Sequence, residues 1–536
     1  VIEENTAMIS DRNDTRGVHP GATEGATPGL VSRRDVLLTS LAATLLPATA
    51  RAAEPGAQRL VAGTRMLEVN GRAARVFGLV GPNGRPGIYL DPGDRFHVAL
   101  LNETGTQTLV HWHGQLPPWK LDGFPWPQTP PFPNGTVQTY DYAPIAGTYW
   151  MHSHHEMQEQ SLLAAPLIVR DTAARREDRQ EVVVLLHDFT FRTPDEVLAG
   201  LTGTRAAASP GGMSGHAMPG MPMPGTPMQS TPMQGMSMPG MSMPGMSMPG
   251  MAMESTSKPK TGMSGMDLND VQYDAFLAND RTLLDPEVVR VEHGGRVRLR
   301  IINGASASQF WIDLGALSGR VVATDGHDVR PVAGNRFPLA MAQRLDILVD
   351  LPAGGVFPIL ARLEGSTQRT GIVLATADAH IPRLGDTGDA APPIDNSLEL
   401  RLAAATPLAA RPADLVHTVT LGGSMAPYAW SMNGEYWPRI TPLMLRQGQR
   451  VEIELVNPTM MAHPIHLHGH AFQVIAIDGK PIQGAIRDTV LVSPMGGRVR
   501  FAFNADNPGR WAFHCHNLYH MMTGMMTEVR YEGIAV

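Results

Sequence analysis

The sequence predicts an all-β protein made of three related β-sandwich domains, and three observations predict it. One decapeptide pattern recurs as GDRFHVALLN at 93–102, GGRVRLRIIN at 294–303 and GQRVEIELVN at 448–457. Each copy is a turn glycine, an alternating apolar strand with β-branched residues, and an asparagine. Three copies imply three domains of one kind. Longer offsets recur too. His111 follows Gly93 at the distance that separates His466 from Gly448, and GTYWMHSH at 147–154 parallels GRWAFHCH at 509–516. Finally, 536 residues with few aromatics and a net charge of -7 suit a few domains of ordinary size. That charge gives no electrostatic case for nucleic acid. No apolar run of roughly 18 residues follows the N-terminal segment, so no membrane span is expected.

Taken in order, residues 1–52 read as an address rather than as fold. Ser32-Arg33-Arg34-Asp35-Val36-Leu37-Leu38 is a twin-arginine motif, followed by an apolar run to Leu46 and a small-residue cleavage site at Ala50-Arg51-Ala52. The twin-arginine export machinery is therefore an expected partner, and the periplasm the expected destination. The first sandwich is expected over 56–172, the second over 173–380 and the third over 390–536. Within the second, an insertion at about 203–267 breaks the pattern. It holds 16 of the chain's 31 methionines between Met213 and Met266, punctuated by Pro and Gly that cannot sustain helix or strand. A disordered or extended tract is expected there. Thioether sulfur is soft and suits Cu(I), which gives such methionines a purpose beyond linking.

The chemistry concentrates at four clusters. Cys515, the only cysteine, sits in His514-Cys515-His516-Asn517-Leu518-Tyr519-His520, with Met525 shortly after. A lone cysteine makes no intramolecular disulfide, and Cys with two His and a weak axial Met is the ligand set of a blue-copper centre. The others are His111-Trp112-His113-Gly114, His152-Ser153-His154 and His463-Pro464-Ile465-His466-Leu467-His468-Gly469. One His-x-His means little, since alternate strand residues share a face for many reasons. Four such pairs, one enclosing the cysteine, mean metal. By the offsets above, Ser153 stands where Cys515 stands and Thr108 where His463 stands, while the middle copy has Ile312 at the first histidine position. The first and last domains are thus expected to face each other across a shared metal site, with the middle domain a spacer.

In these motifs, from about residue 60 onward, the chain resembles the multicopper oxidases, and most of all the bacterial periplasmic copper-resistance oxidases. The resemblance implies three cupredoxin-like Greek-key sandwiches and four copper ions. It implies that His463, Cys515, His520 and Met525 hold type 1 copper, and that His111 and His466 hold type 2. His113, His152, His154, His468, His514 and His516 would hold the type 3 pair. His514 and His516 adjoin Cys515 covalently and so complete an electron route, and Asp122, in Leu121-Asp122-Gly123, is the candidate general acid.

The reducing substrate is less determined. Met460 and Met461 precede His463, and Met521 and Met522 follow His520, so a methionine-lined approach for Cu(I) is one reading and core packing the other. Thr459 stands where cuprous oxidases often carry an acid. His97, His187, His293 and His327 are read as structural or surface residues, and His155 and His470 fall outside the matched positions. The expected activity is periplasmic oxidation of Cu(I), with phenols or Fe(II) as further donors, coupled to reduction of O2 to water by a monomer. A copper sequestration protein acting through its methionines, and a laccase acting chiefly on phenols, are the alternatives.

Overall fold

A computed structural model describes residues 56–204 and 268–535. The twin-arginine motif at Arg33 and Arg34 and the methionine tract 213–266 lie outside the described residues. Three pairs of sheets follow one another along the chain. The first pair has four strands in each sheet, the second six and five, the third seven and five.

The decapeptide repeat explains this arrangement. Its three strands, Phe96–Glu103, Arg296–Asn303 and Arg450–Asn457, occupy the same place in successive sandwiches. Each lies parallel to the strand that opens its domain, respectively Gln58–Val69, Gln180–Phe189 and Leu415–Met425. On its other side each pairs antiparallel, with Val137–Tyr142, Arg344–Asp350 and Gly497–Asn504. Their apolar positions feed continuous cores through Val98, Leu100, Val297, Leu299, Val451 and Ile453, all essentially inaccessible.

The terminal asparagine of the repeat has one job three times over. The Asn102 amide donates to the Thr106 and Phe132 carbonyls, Asn303 to those of Ser308 and Leu339, and Asn457 to those of Met461 and Val492. Each side-chain oxygen accepts the backbone N–H two residues on, from Thr104, Ala305 and Thr459. Such an Asx turn pins the loop leaving the strand. In the outer domains that loop leads straight into the first histidine cluster.

In each outer domain the two histidine motifs lie on paired strands of one sheet. Val110–His111 pairs with Gly147–Ser153 so that His111 opposes His152. His463–Leu467 pairs with Arg510–Cys515 so that His466 opposes His514 and Ile465 opposes Cys515. Beyond Cys515 the chain turns into the short helix Leu518–Met522, whose N-cap Asn517 accepts from the Tyr519 and His520 amides. A second helix, Pro194–Thr202, precedes the methionine tract and carries a capping box of Thr193 and Glu196. Among the described residues no helix is long and apolar enough to cross a membrane.

Candidate metal centre

Cys515 lies at the end of its strand with Sγ 3.7 Å from Nδ1 of both His463 and His520, and those two nitrogens are 3.0 Å apart. All three side chains are fully buried. The outer nitrogens are spoken for: His463 Nε2 lies 2.9 Å from Thr459 Oγ1, and His520 Nε2 lies 2.7 Å from Asp270 Oδ2. An acceptor at Nε2 keeps the proton there and turns the Nδ1 lone pair inward. Met525 is buried beside the cysteine, its carbonyl accepting from the Cys515 N–H at 3.1 Å while its own N–H donates to His520. Burial pushes the Cys515 thiol far up, so only a cation in the site gives a thiolate at neutral pH.

The first domain holds a copy of this site without metal chemistry. At the offsets of His463, Cys515, His520 and Met525 stand Thr108, Ser153, Gln158 and Leu163. Thr108 Oγ1 and Ser153 Oγ both donate to Gln158 Oε1 at 2.8 Å. The backbone pairing is the same: Ser153 N–H donates to Leu163 O and Leu163 N–H to Gln158 O. One amide therefore satisfies the space that His463, Cys515 and His520 surround in the last domain.

Eight imidazoles from the outer domains converge nearby. His111 Nε2 and His466 Nε2 lie 3.4 Å apart. His113 Nδ1 lies 3.4 Å from His152 Nε2, with His516 completing that trio, and His468 Nε2 lies 3.0 Å from His514 Nε2, with His154 completing another. Each trio is buried and each offers three nitrogens to one ion. Burial, reinforced by neighbouring imidazoles, holds His152, His154, His468, His514 and His516 well below the usual histidine range. These rings are neutral at physiological pH, the state a metal needs. Nε2 of both His154 and His516 is buried without a partner. Imidazole nitrogens facing one another across 3.0 to 3.4 Å, with these two left unpartnered beside them, fit a metal cluster and little else.

Three carboxylates surround the imidazoles. Asp122 Oδ2 lies 2.7 Å from His468 Nδ1, and its carbonyl lies 2.8 Å from His111 Nδ1. Glu159 Oε2 lies 2.7 Å from His152 Nδ1, and burial raises its carboxyl well above the usual range. Asp488 Oδ1 lies 3.1 Å from His113 Nε2, and its carbonyl lies 2.9 Å from His466 Nδ1. Burial would raise the Asp488 carboxyl, but the Arg344 guanidinium overrides it and holds it well below.

All ten expected histidines, Cys515, Met525 and Asp122 thus come together in two adjoining groups. The four methionines do not act alike. Met461 is packed into the core while Met460 is exposed. Met521 packs against the cluster of Phe124, Trp126, Ala512 and Met526, and Met522 is exposed. His187 and His470 are buried, bonded to the Gly304 carbonyl and to Tyr531. Asp270, Glu159, Asp488 and Gln158 were not foreseen. The repeat offsets would have found Gln158, which lies where His520 lies, whereas the three acids carry no periodic signal.

Multicopper oxidase family profiles match three successive parts of the chain, residues 64–174, 180–383 and 410–533. The chain is 34% identical over 457 residues to the multicopper oxidase MmcO of Mycobacterium tuberculosis, covering 83% of this chain and 81% of that one. It is 26% identical to a copper resistance protein A homolog of Pseudomonas syringae pv. tomato, covering 88% and 92%. Among solved structures, Fet3p, a multicopper oxidase that functions in iron import, superposes with a TM-score of 0.66 at 19% identity, covering 88% of this chain and 90% of its own. A multicopper oxidase from Pseudomonas thermotolerans gives 0.60 at 22% identity, covering 88% and 98%.

Proposed function

The chain belongs to the multicopper oxidases and is a copper-dependent oxidoreductase, and from that premise we propose that it oxidises Cu(I) and reduces O2 to water in the periplasm, in the service of copper tolerance. In this reading four copper ions are bound. His463, Cys515, His520 and Met525 hold type 1 copper, and His111 and His466 hold type 2. The trios His113, His152, His516 and His154, His468, His514 hold the type 3 pair. Copper so bound supplies one-electron redox chemistry at the cysteine and O2 chemistry at the imidazole cluster.

The chain's own residues do the rest. Cys515 is joined by peptide bonds to His514 and His516, one from each type 3 trio, so an electron reaching its sulfur has a bonded route to the cluster. Asp122 and Glu159 flank the cluster on different histidines, each against an Nδ1. Asp122 keeps the role of general acid, and Glu159, whose carboxyl burial raises well above the usual range, joins it as a second proton-donating group. Buried Trp150 stacks on His152 and lies against His113 and His516, and Phe124 lies against His154 and His468, so aromatic rings rather than bulk water cover the imidazoles.

The observation that carries the choice of donor is the covering of the cysteine site. Both of its histidines are wholly buried, so no phenol ring can lie against an imidazole edge. What meets His520 instead is the Asp270 carboxylate, which also accepts from Tyr428 and Asn517. Those contacts outweigh the effect of burial and leave Asp270 below the usual range, hence negative. Asp270 is itself buried, so its charge favours a small cation near the site over an aromatic ring through its field rather than by contact. Asp270 also follows closely on the methionine tract, whose thioethers favour Cu(I).

Oxygen uptake by copper-loaded protein tests this, with Cu(I), Fe(II) and a phenol offered at equal concentration. The highest kcat/KM is expected on Cu(I). A phenol preference would make the protein a laccase, and no uptake with any donor would leave copper sequestration as its role.

A further inference from the structure

The middle domain carries no candidate copper ligand, yet one of its side chains reaches the cluster. We propose that Arg344 is a positioning residue for the imidazole cluster, holding Asp488 so that His113 and His466 keep their orientation toward copper. This rests on the assignment of those histidines made above.

Arg344 lies on the strand Arg344–Asp350 and is completely buried. Its two terminal nitrogens grip both oxygens of Asp488, at 2.8 and 2.5 Å. Its Nε donates to the Thr148 carbonyl of the first domain, on the strand that carries His152, and Nη1 also donates to the Ala342 carbonyl of its own. The guanidinium therefore bonds to all three domains at once. A two-pronged grip fixes the plane of a carboxylate as well as its place.

Asp488 passes that constraint on. Its Oδ1 lies 3.1 Å from His113 Nε2, and its carbonyl lies 2.9 Å from His466 Nδ1. Thr489 Oγ1 donates to Asp488 Oδ1 and lies 3.3 and 3.2 Å from the same two ring nitrogens. One histidine belongs to the first domain and the other to the third, and their rings stack at 3.7 Å. A single residue thus orients one type 3 ligand through its carboxylate and one type 2 ligand through its backbone carbonyl, each at the ring nitrogen that faces away from the metal.

The local sequence has been shaped around this pair. Gly114, next to His113, has φ +87, and a Cβ there would stand 2.5 Å from Arg344 Nη2 and 2.6 Å from Asp488 Oδ2. The glycine of the first histidine motif leaves room for the ion pair. Behind Arg344, Asp325 accepts its backbone N–H at 2.8 Å and lies 3.1 Å from Arg487, which in turn donates to Glu399 at 2.6 Å. This alternating row of buried charges runs from the cluster into the segment joining the second and third domains. Removing the guanidinium leaves the Asp488 charge buried and without its cation, the arrangement that proteins tolerate least.

The test is copper retention by the full-length chain. Arg344→Gln, Arg344→Lys and Asp488→Asn are loaded with copper and dialysed against a chelator. Three quantities are followed: copper per chain, the blue Cu–thiolate absorption, and the type 2 paramagnetic resonance signal. In Arg344→Gln the blue absorption stays at the wild-type level, which also reports that the chain is folded. The type 2 signal is expected to be lost about tenfold faster or more. Asp488→Asn should behave likewise, and Arg344→Lys, which keeps the charge and loses the two-pronged grip, should fall between. Wild-type retention of the type 2 signal in Arg344→Gln overturns the proposal and leaves Arg344 as interdomain glue. Parallel loss of blue absorption and type 2 signal overturns it too, because the effect would then be global. Absence of any type 2 signal in the wild-type protein would instead remove the cluster assignment, and this inference with it.

Discussion

Burial raises the Cys515 thiol and lowers the His463 imidazole beside it, so both sit in the protonation states that suit an empty core. Only a thiophilic cation makes a thiolate there worth its desolvation. Replacing sulfur by oxygen therefore removes the metal site with little change of shape. Cys515→Ser is expected to be folded, colourless and without oxidase activity, yet to keep its type 2 paramagnetic resonance signal, because the cluster's imidazoles are untouched. Retained blue colour and activity would show that the cysteine is not a copper ligand. At this scale the histidines and the cysteine were legible because paired imidazoles are rare and repeat at fixed offsets. Of the carboxylates that orient them, only Asp122 was legible. Asp270 and Asp488 reach His520 and His113 from distant points of the chain, Glu159 reaches His152 from the loop just after its strand, and a lone acid in a loop looks like any solvated one.

The elements themselves were largely legible, since a strand with one buried face writes its period into the sequence. The three repeat strands, with their asparagine-pinned loops, are the clearest instance. Short helices were harder. Leu518–Met522 spans little more than a turn and owes its place to Asn517, which caps Tyr519 and His520 with Oδ1 while Nδ2 donates to Asp270 at 2.9 Å. The same asparagine follows His516 directly, so it stands between the cluster and the last histidine of the cysteine site. Asn517→Ala removes the cap, at a cost of about 1 kcal/mol, and frees His520 and Asp270 to shift. The expected result is a displaced blue absorption maximum and slower oxidation of substrate, with type 2 copper unchanged. An unaltered blue spectrum would mean that strand pairing through Met525 alone fixes His520. The capping box at Thr193 and Glu196 is likewise written in the sequence, but the helix it starts, Pro194–Thr202, is too short to show a clear helical period.

For the molecule as a whole, division of labour among the domains follows from which copy kept its ligands. The last domain kept both halves, the first replaced its cysteine site with the Thr108, Ser153 and Gln158 bonds, and the middle kept none. Into that middle domain the methionine tract is inserted. It leaves after the helix Pro194–Thr202 and returns at Leu268, just ahead of Asp270. None of the candidate ligands and none of the described core lies within 213–266, so removing those residues should preserve folding, copper loading and blue colour. The deletion should still matter for one donor. Soft thioethers joined in sequence to Leu268, two residues before Asp270, are expected to raise the local concentration of Cu(I) and to do nothing for O2 or for electron passage within the protein. Steady-state rates at limiting Cu(I) should therefore fall in the deletion variant, while rates on a phenol hold or rise. Keeping Asp270 in place is essential to the comparison, because its loss would alter His520 directly. Unchanged kinetics at low Cu(I) would reduce the tract to a linker, and the preference for a cationic donor would then rest on Asp270 alone.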